Sequence, residues 1–200
     1  MAAGYSEQTE GAMLCIEAAE DWALECVSSL PNLDRHVFID YGAADGGTAR
    51  EFWSTILSKT NILFPRSELT LIGNDLPSND NQALVDSLNY QHSVNKNINT
   101  FLCARSFYDQ LSSSSSVSFG FSATAMHWLS RHLELNNHTH IQAASDHKNF
   151  NKFRDQALAD WELILMQRSN EIIKGGKFLA VNLSRDSNNY YLGNNGGKTL

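Results

Sequence analysis

Apolar positions along this chain alternate between a helical rhythm and short unbroken runs. From Met13 to Leu30, Ile16, Ala19, Ala23, Cys26 and Leu30 fall at helical spacing, Glu17, Glu20 and Glu25 are left for the wet face, and Pro31 stops the run. HVFIDYG at 36–42 is a short apolar run closing on glycine, the pattern of a buried strand. Thr48 to Ser58 predicts the next helix, LTLIGND at 69–75 a second strand, Asn81 to Ser93 a helix, and NTFLCARS at 99–106 a third strand. The serine run at 112–116 predicts a surface loop, and VSFGFSATAM at 117–126 a fourth strand. Between Asn149 and Ile173, Phe150, Phe153, Ala157, Trp161, Ile164, Leu165 and Ile172 predict one long amphipathic helix. Gly175 and Gly176 are expected to end it, KFLAVNLSR at 177–185 to form a fifth strand, and 186–200 to be an irregular tail.

Strands that alternate with helices and are apolar on both faces predict an α/β fold with a parallel sheet. No internal repeat divides the chain, and 200 residues suit one domain, 1–200, with a real core. The 42% hydrophobic and 18% charged fractions are those of a soluble globular protein. A net charge of -7 argues against a nucleic-acid partner, since phosphate binding needs a basic face. No apolar run approaches the ~20 residues that span a bilayer, and MAAGYSEQTE lacks the basic start and apolar stretch of a secretory signal. Cys15, Cys26 and Cys103 imply neither disulfides nor zinc, and the scattered histidines, Arg131-His132, His138, His140 and His147 among them, support no metal site. A reducing cytoplasm is the expected location.

In an open parallel sheet, ligands bind beyond the carboxyl ends of the strands, near the switch point. That directs attention to DYGAADGGTA, NDLPSND, ARSFYDQ and SATAMHWLS. The glycines of the first loop let backbone approach a ligand closely. The G-x-G-x-x-G spacing of a pyrophosphate site is absent, which disfavours NAD. Asp40 and Asp45 suit a cationic amino group better than a phosphate, although the segment alone reads equally as a plain strand-to-helix turn. Asp75 ends the second strand, where a carboxylate can accept both hydroxyls of a ribose, and its loss should cost ligand binding and not the fold. His127 and Trp128 close the fourth strand at the same end, and either also reads as an ordinary core residue.

Taken together, the loops resemble those of the SABATH family of carboxyl methyltransferases. Asp40 to Gly46, DYGAADG, is similar to the family's DLGCSSG; Asn74 to Asp80, NDLPSND, to its NDLPGND; Ser106-Phe107-Tyr108 to its GSFY; and SATAMHWLS at 122–130 to its SSYSLHWLS. Arg168 to Gly176, RSNEIIKGG, resembles the RSEEIVPGG that precedes the fifth strand. The similarity runs in order over residues 5–186. It implies a Rossmann-like class I methyltransferase sheet in strand order 3-2-1-4-5. It also implies S-adenosylmethionine as cofactor and a small carboxylic acid as acceptor. By resemblance, Asp40 holds the methionine end of the cofactor and Asp75 the ribose, and Tyr5, Thr9, Gly42 and Asp45 are further cofactor-binding candidates. Leu76 lies against the adenine, Ser106 and Phe107 border the adenosine, and Trp128 lines the acceptor pocket, with Gln8 and His127 as this chain's own candidates to bind the acceptor.

Departures from the family pattern are equally specific. Gly4 to Ala12, GYSEQTEGA, occupies the register of its SYAxNSxxQ, so that Ala12 stands where the family's glutamine grips the substrate carboxylate. The first turn has Ala-Ala-Asp for Cys-Ser-Ser and lacks the proline after its glycine. The family's last two strands and helical cap are not expected from this sequence, which would leave the fifth strand as an apolar edge prone to homo-oligomer formation. Methyl transfer to a carboxylate needs no general base, because the acceptor is ionised near neutral pH. Alignment and a dry pocket would do the work, with Tyr5, Phe107 and Trp128 as aromatic walls for a sulfonium. Two rival readings are a cofactor-binding protein without turnover, favoured by Ala12, and a nicotinamide-dependent oxidoreductase.

Overall fold

A computed structural model of the chain describes residues 5–95, 97–134, 150–184 and 187. A short 3-10 turn, Ser6–Gln8, leads into α1 (Glu10–Ser28), β1 (Arg35–Tyr41), α2 (Arg50–Leu63), β2 (Glu68–Asp75), α3 (Asn81–Val94) and β3 (Ile98–Ala104). Then come β4 (Val117–Ala123), α4 (Phe150–Glu171) and β5 (Ile172–Val181). All strand pairs are parallel, and the sheet runs β3-β2-β1-β4-β5, the order expected. The chain leaves β1 in one direction towards β2 and β3 and in the other towards β4, so the switch point lies at the carboxyl end of β1.

The position of β1 explains its composition. A central strand is covered on both faces, so its residues are apolar with little alternation. Phe38 belongs to a core beneath α1, α2 and α3, with Phe52, Trp53, Ile56, Leu71, Phe119 and Phe121. Ile39 and Tyr41 point to the other face, towards Val117 and Ile164 of α4.

Four expectations about the elements are corrected. α2 continues past Ser58 to Leu63, because no breaker intervenes before Pro65, which excludes helical geometry at Phe64. β4 ends at Ala123, where Thr124 turns away with φ of 50°, so His127 and Trp128 sit on a loop and not in the strand. β5 starts at Ile172, directly after α4 and well before the expected 177, since Ile172 and Ile173 favour extended backbone. Gly175 and Gly176 therefore do not end the helix. They form an irregularity inside β5: its register against β4 shifts between Val117 and Phe119, Gly175 has φ of 83°, and a Cβ at Gly176 would lie 2.9 Å from the Ser118 carbonyl oxygen.

The fourth correction concerns α4, whose buried residues are Asp160, Ile164, Arg168 and Glu171. The expected apolar stripe contributes only Ile164 to that set, while Leu165 is exposed and Trp161 is 36% exposed. Charged side chains can occupy this face because each finds partners there. Arg168 and Glu171 pair at 2.9 Å and are 2% and 0% exposed. The Tyr41 hydroxyl donates to Glu171 at 2.6 Å, and the Arg168 guanidinium lies over the Tyr41 ring. The expected tail at 186–200 lies, apart from Ser187, outside the described residues, as do His138, His140 and His147.

Candidate functional site

The loops that follow β1, β2, β3 and β4 converge at the carboxyl edge of the sheet. The β1 turn is held from below by β2: the amides of Gly42 and Ala43 donate to the Asn74 carbonyl at 3.0 and 2.8 Å. The Asn74 side chain reaches across to the carbonyls of Cys103 and Arg105, at 2.9 and 2.7 Å, tying the β3 loop to the same platform. Asp75 accepts the Ala44 amide on Oδ2 and the Leu76 amide on Oδ1, both at 2.7 Å. The Asp75 carboxylate thus shapes the β1 turn. Its loss would leave the buried Ala44 amide without this acceptor, so a cost to the fold is expected beside the cost to ligand binding.

Gly42 has φ of 77°, and a Cβ there would fall 2.4 Å from the Ala125 Cβ, near the ring of Phe107. Only glycine fits this close approach of the β1, β3 and β4 loops. Asp40 is 6% exposed and accepts the Trp53 indole N–H on Oδ2 at 2.8 Å. Burial pushes its carboxyl up to about 7; the Trp53 hydrogen bond works against this and the Asp75 charge adds to it. A cationic group brought to this carboxyl would restore its charge, so the site suits one.

Asp45 turns to the N-terminal segment. Its Oδ2 accepts the Ser6 amide and hydroxyl at 2.9 and 3.0 Å, and its Oδ1 accepts the Gly47 amide at 3.1 Å. This clasp lays Tyr5 over the site, where its phenol is pushed up by burial, then by the Asp45 and Asp75 charges. The Thr9 hydroxyl donates to the Tyr5 carbonyl at 3.0 Å and closes the same turn. Beneath lies a cleft of about 420 Å³, counting its open mouth, lined by Tyr5, Asp40, Gly42, Ala44 and Thr48 and, from α1, by Ala12 and Ile16. Its lining is largely small and apolar, with the Asp40 carboxylate set into it.

The sequence-derived candidates therefore divide. Tyr5, Asp40 and Gly42 line the cleft, Asp45 and Asp75 stand beside it, and Phe107 packs close to Gly42. Ser106 is half-buried, its hydroxyl accepting the Tyr108 amide at 3.2 Å, while Leu76 is 47% exposed at the end of β2. Gln8 is exposed on the 3-10 turn, and His127 and Trp128 are exposed on the β4 loop with their rings 5.3 Å apart. Two groups escaped the sequence reading. The Thr48 hydroxyl is buried in the cleft lining with no partner among the described residues, a vacancy for a ligand acceptor or donor. Arg168 donates to the carbonyls of Phe107 and Asp109, each at 2.8 Å, and Glu171 accepts the amides of Leu111 and Ser112, so α4 fixes the β3 loop from behind. The motif containing them was visible, but its contacts were not. Among the described residues no group of His, Cys, Asp and Glu could hold a metal ion, and no helix is long and apolar enough to cross a membrane.

Comparison with known proteins bears on this arrangement. The O-methyltransferase acrG of Aspergillus aculeatus is 32% identical over 139 residues, covering 69% of this chain and 36% of that protein. The structure of a loganic acid methyltransferase with SAH superposes with a TM-score of 0.75 at 20% identity, over 94% of this chain and 58% of that one, and shares the fold. The chain thus spans little more than half, or less, of the length of these relatives. The family described as SAM dependent carboxyl methyltransferase matches residues 48–196. With a match over most of its length, this chain belongs to the S-adenosylmethionine-dependent carboxyl methyltransferase family.

Proposed function

We propose that residues 1–200 act as a single S-adenosylmethionine-binding domain that serves methyl transfer to the carboxylate of a small acid. The observation that carries this reading is the pair of buried carboxylates, Asp40 and Asp75, at adjacent strand ends on either side of a glycine turn. The loganic acid methyltransferase structure with SAH, sharing this fold, supports the same ligand class. Asp40 would hold the amino group of the cofactor, and the free lone pairs of Asp75 its ribose hydroxyls. Tyr5, Gly42 and the Thr9 turn would border the methionine end, with Asp45 keeping Tyr5 over it. Leu76, Ser106 and Phe107 would flank the adenosine.

When bound, the cofactor supplies an electrophilic methyl group on a positively charged sulfur. Tyr5, Phe107 and Trp128 provide ring faces that attract such a charge and exclude water from it. No residue need take a proton, since a carboxylate acceptor is already ionised at neutral pH. The protein's contribution is alignment, and Trp128, His127 and Gln8 are the candidates for holding the acceptor in line. Ala12 in the cleft wall offers no side-chain hydrogen bond, so another donor must orient the acceptor carboxylate. The free thiols of Cys15, Cys26 and Cys103 fit a reducing compartment, and we place the protein in the cytoplasm.

Calorimetric titration with S-adenosylhomocysteine tests the cofactor reading, and a methyl-transfer assay over a panel of small acids tests the acceptor. Asp75→Ala should weaken S-adenosylhomocysteine at least tenfold, since each charge-assisted hydrogen bond is worth about 1.5–3 kcal/mol. The variant should also lose about 1–3 kcal/mol of stability from the unsatisfied Ala44 amide, so binding is read at a temperature where it is folded. Equal binding by variant and parent would remove Asp75 from the ribose.

A further inference from the structure

The face that α4 turns to the protein carries charge at both ends, and only the Arg168–Glu171 end is explained by the β3 loop. At the other end Asp160 is 5% exposed, with both carboxylate oxygens engaged. Its Oδ2 accepts the Ser130 amide at 2.8 Å, and its Oδ1 accepts the Ser130 hydroxyl at 2.6 Å and the Gln156 amide at 2.7 Å. Burial works to raise this carboxyl, but the hydrogen bonds from Ser130 and Gln156 hold it below its ordinary range, so it is ionised at neutral pH. Tyr108 is pushed the opposite way, by burial and then by the Asp160 charge, and keeps its proton. That proton is donated to the Trp128 carbonyl at 2.7 Å.

These contacts add a polar tie between two loops that also share an apolar cluster, Met126 from one with Phe107 and Tyr108 from the other. Tyr108 belongs to the loop after β3, next to Ser106 and Phe107, while Trp128 and Ser130 belong to the loop after β4. Trp128 is 64% exposed, so packing of its ring does not fix it; its backbone is held by the Ala125 carbonyl on its amide at 3.1 Å, by Tyr108 on its carbonyl and by Asp160 two residues on.

We propose that Asp160 and Tyr108 are positioning residues that hold Trp128, the acceptor-side wall, in fixed relation to the cofactor-side loop carrying Ser106 and Phe107. This deepens the reading of the preceding subsection and rests on it. A consequence is that occupancy of the cofactor side is felt at Trp128 through Tyr108.

The test uses the full chain labelled with 5-fluorotryptophan, whose four ¹⁹F signals report Trp22, Trp53, Trp128 and Trp161, with Trp128→Phe assigning the third. In the ligand-free protein, Asp160→Ala and Tyr108→Phe should each shift and broaden the Trp128 signal, and the double variant should do little more than either, because the two act through one network. The core Trp53 signal should stay in place, as an internal check of the fold. Asp160→Asn, which keeps one acceptor oxygen, should restore part of the parent signal. On saturation with S-adenosylhomocysteine the parent Trp128 signal should move, and in Tyr108→Phe it should not, at a binding constant within about threefold of the parent. A Trp128 signal unchanged in Asp160→Asn and Tyr108→Phe, with Trp53 unchanged, would overturn the proposal, even if Asp160→Ala fails to fold. If the parent does not bind S-adenosylhomocysteine, the cofactor reading fails instead, and the ligand-free spectra still decide the positioning role.

Discussion

Two groups of loop residues at the carboxyl edge of the sheet are built on different plans. Around the cleft, Asp40, Asp45 and Asp75 are each at most 7% exposed, and all three accept hydrogen bonds from the protein itself. The ligand groups proposed here and the groups that shape the turn are the same atoms. On the β4 loop, His127 and Trp128, proposed to serve the acceptor, are exposed, and Trp128 is held at one remove, through Tyr108, Ser130 and α4. A side chain wired into the fold cannot change without a stability cost, whereas one carried on a tethered loop can. With the proposed roles, this division would let one sheet keep its methyl donor while the acceptor wall varied.

Four variants probe that contrast, beginning where the loss should be largest. Arg168→Ala leaves Glu171 as an uncompensated buried charge, and breaking a buried pair in this way costs about 3–5 kcal/mol. Denaturant unfolding should show that loss; a loss under about 1 kcal/mol would mean that α4 does not brace the β3 loop. Gly42→Ala forces a side chain into a left-handed backbone and against Ala125, and backbone strain with overpacking should cost about 2–4 kcal/mol in the same measurement.

The third concerns pH. The folded-state pKa of Asp40 is raised to about 7, so its contribution to stability is complete below the ordinary carboxylate range and is lost as pH rises through about 7. Binding of a cationic group to the carboxylate has the opposite slope. Between pH 6 and 8 the ligand-free protein should therefore lose stability while S-adenosylhomocysteine affinity rises about tenfold, at up to 1.36 kcal/mol per unit of pH. Asp40→Asn should flatten the affinity slope; a slope that persists would take the amino group away from Asp40. Smallest of all, Trp128→Ala should alter stability by no more than about 0.5 kcal/mol, as expected of an exposed side chain. A larger change would show that the acceptor wall is part of the core.

What could be read in the sequence follows the same division. The strands were legible because HVFIDY and its successors are continuous apolar runs, and burial on both faces allows little else, whereas their order came from the resemblance of the loops to a known family. Asp40 and Asp75 were legible because they terminate those runs. The buried face of α4 was not, since helical periodicity assigns the core to apolar residues. Here the partners that make Arg168 and Glu171 tolerable, Tyr41 and the loop after β3, lie far off in the chain. Thr48 was passed over because nothing local distinguishes a buried hydroxyl without a partner from one on a turn. Gly175 and Gly176 were misread for a related reason: glycine ends helices and interrupts strands alike, and only the register against β4 separates the two.

The central place of β1 also orders events during synthesis. β1 pairs with β2 soon after both are made, but its other edge waits for Phe119–Phe121, about 80 residues downstream. At ~5–20 residues per second on the ribosome that is about 4–16 seconds with an apolar edge unpaired. Amides of the glycine turn already have their β2 acceptor, the Asn74 carbonyl, in this interval, so the β1 turn can take shape first. The nascent chain meanwhile exposes HVFIDY to any neighbour able to add a strand. A chaperone that shields this edge until β4 emerges should therefore raise the yield of folded protein.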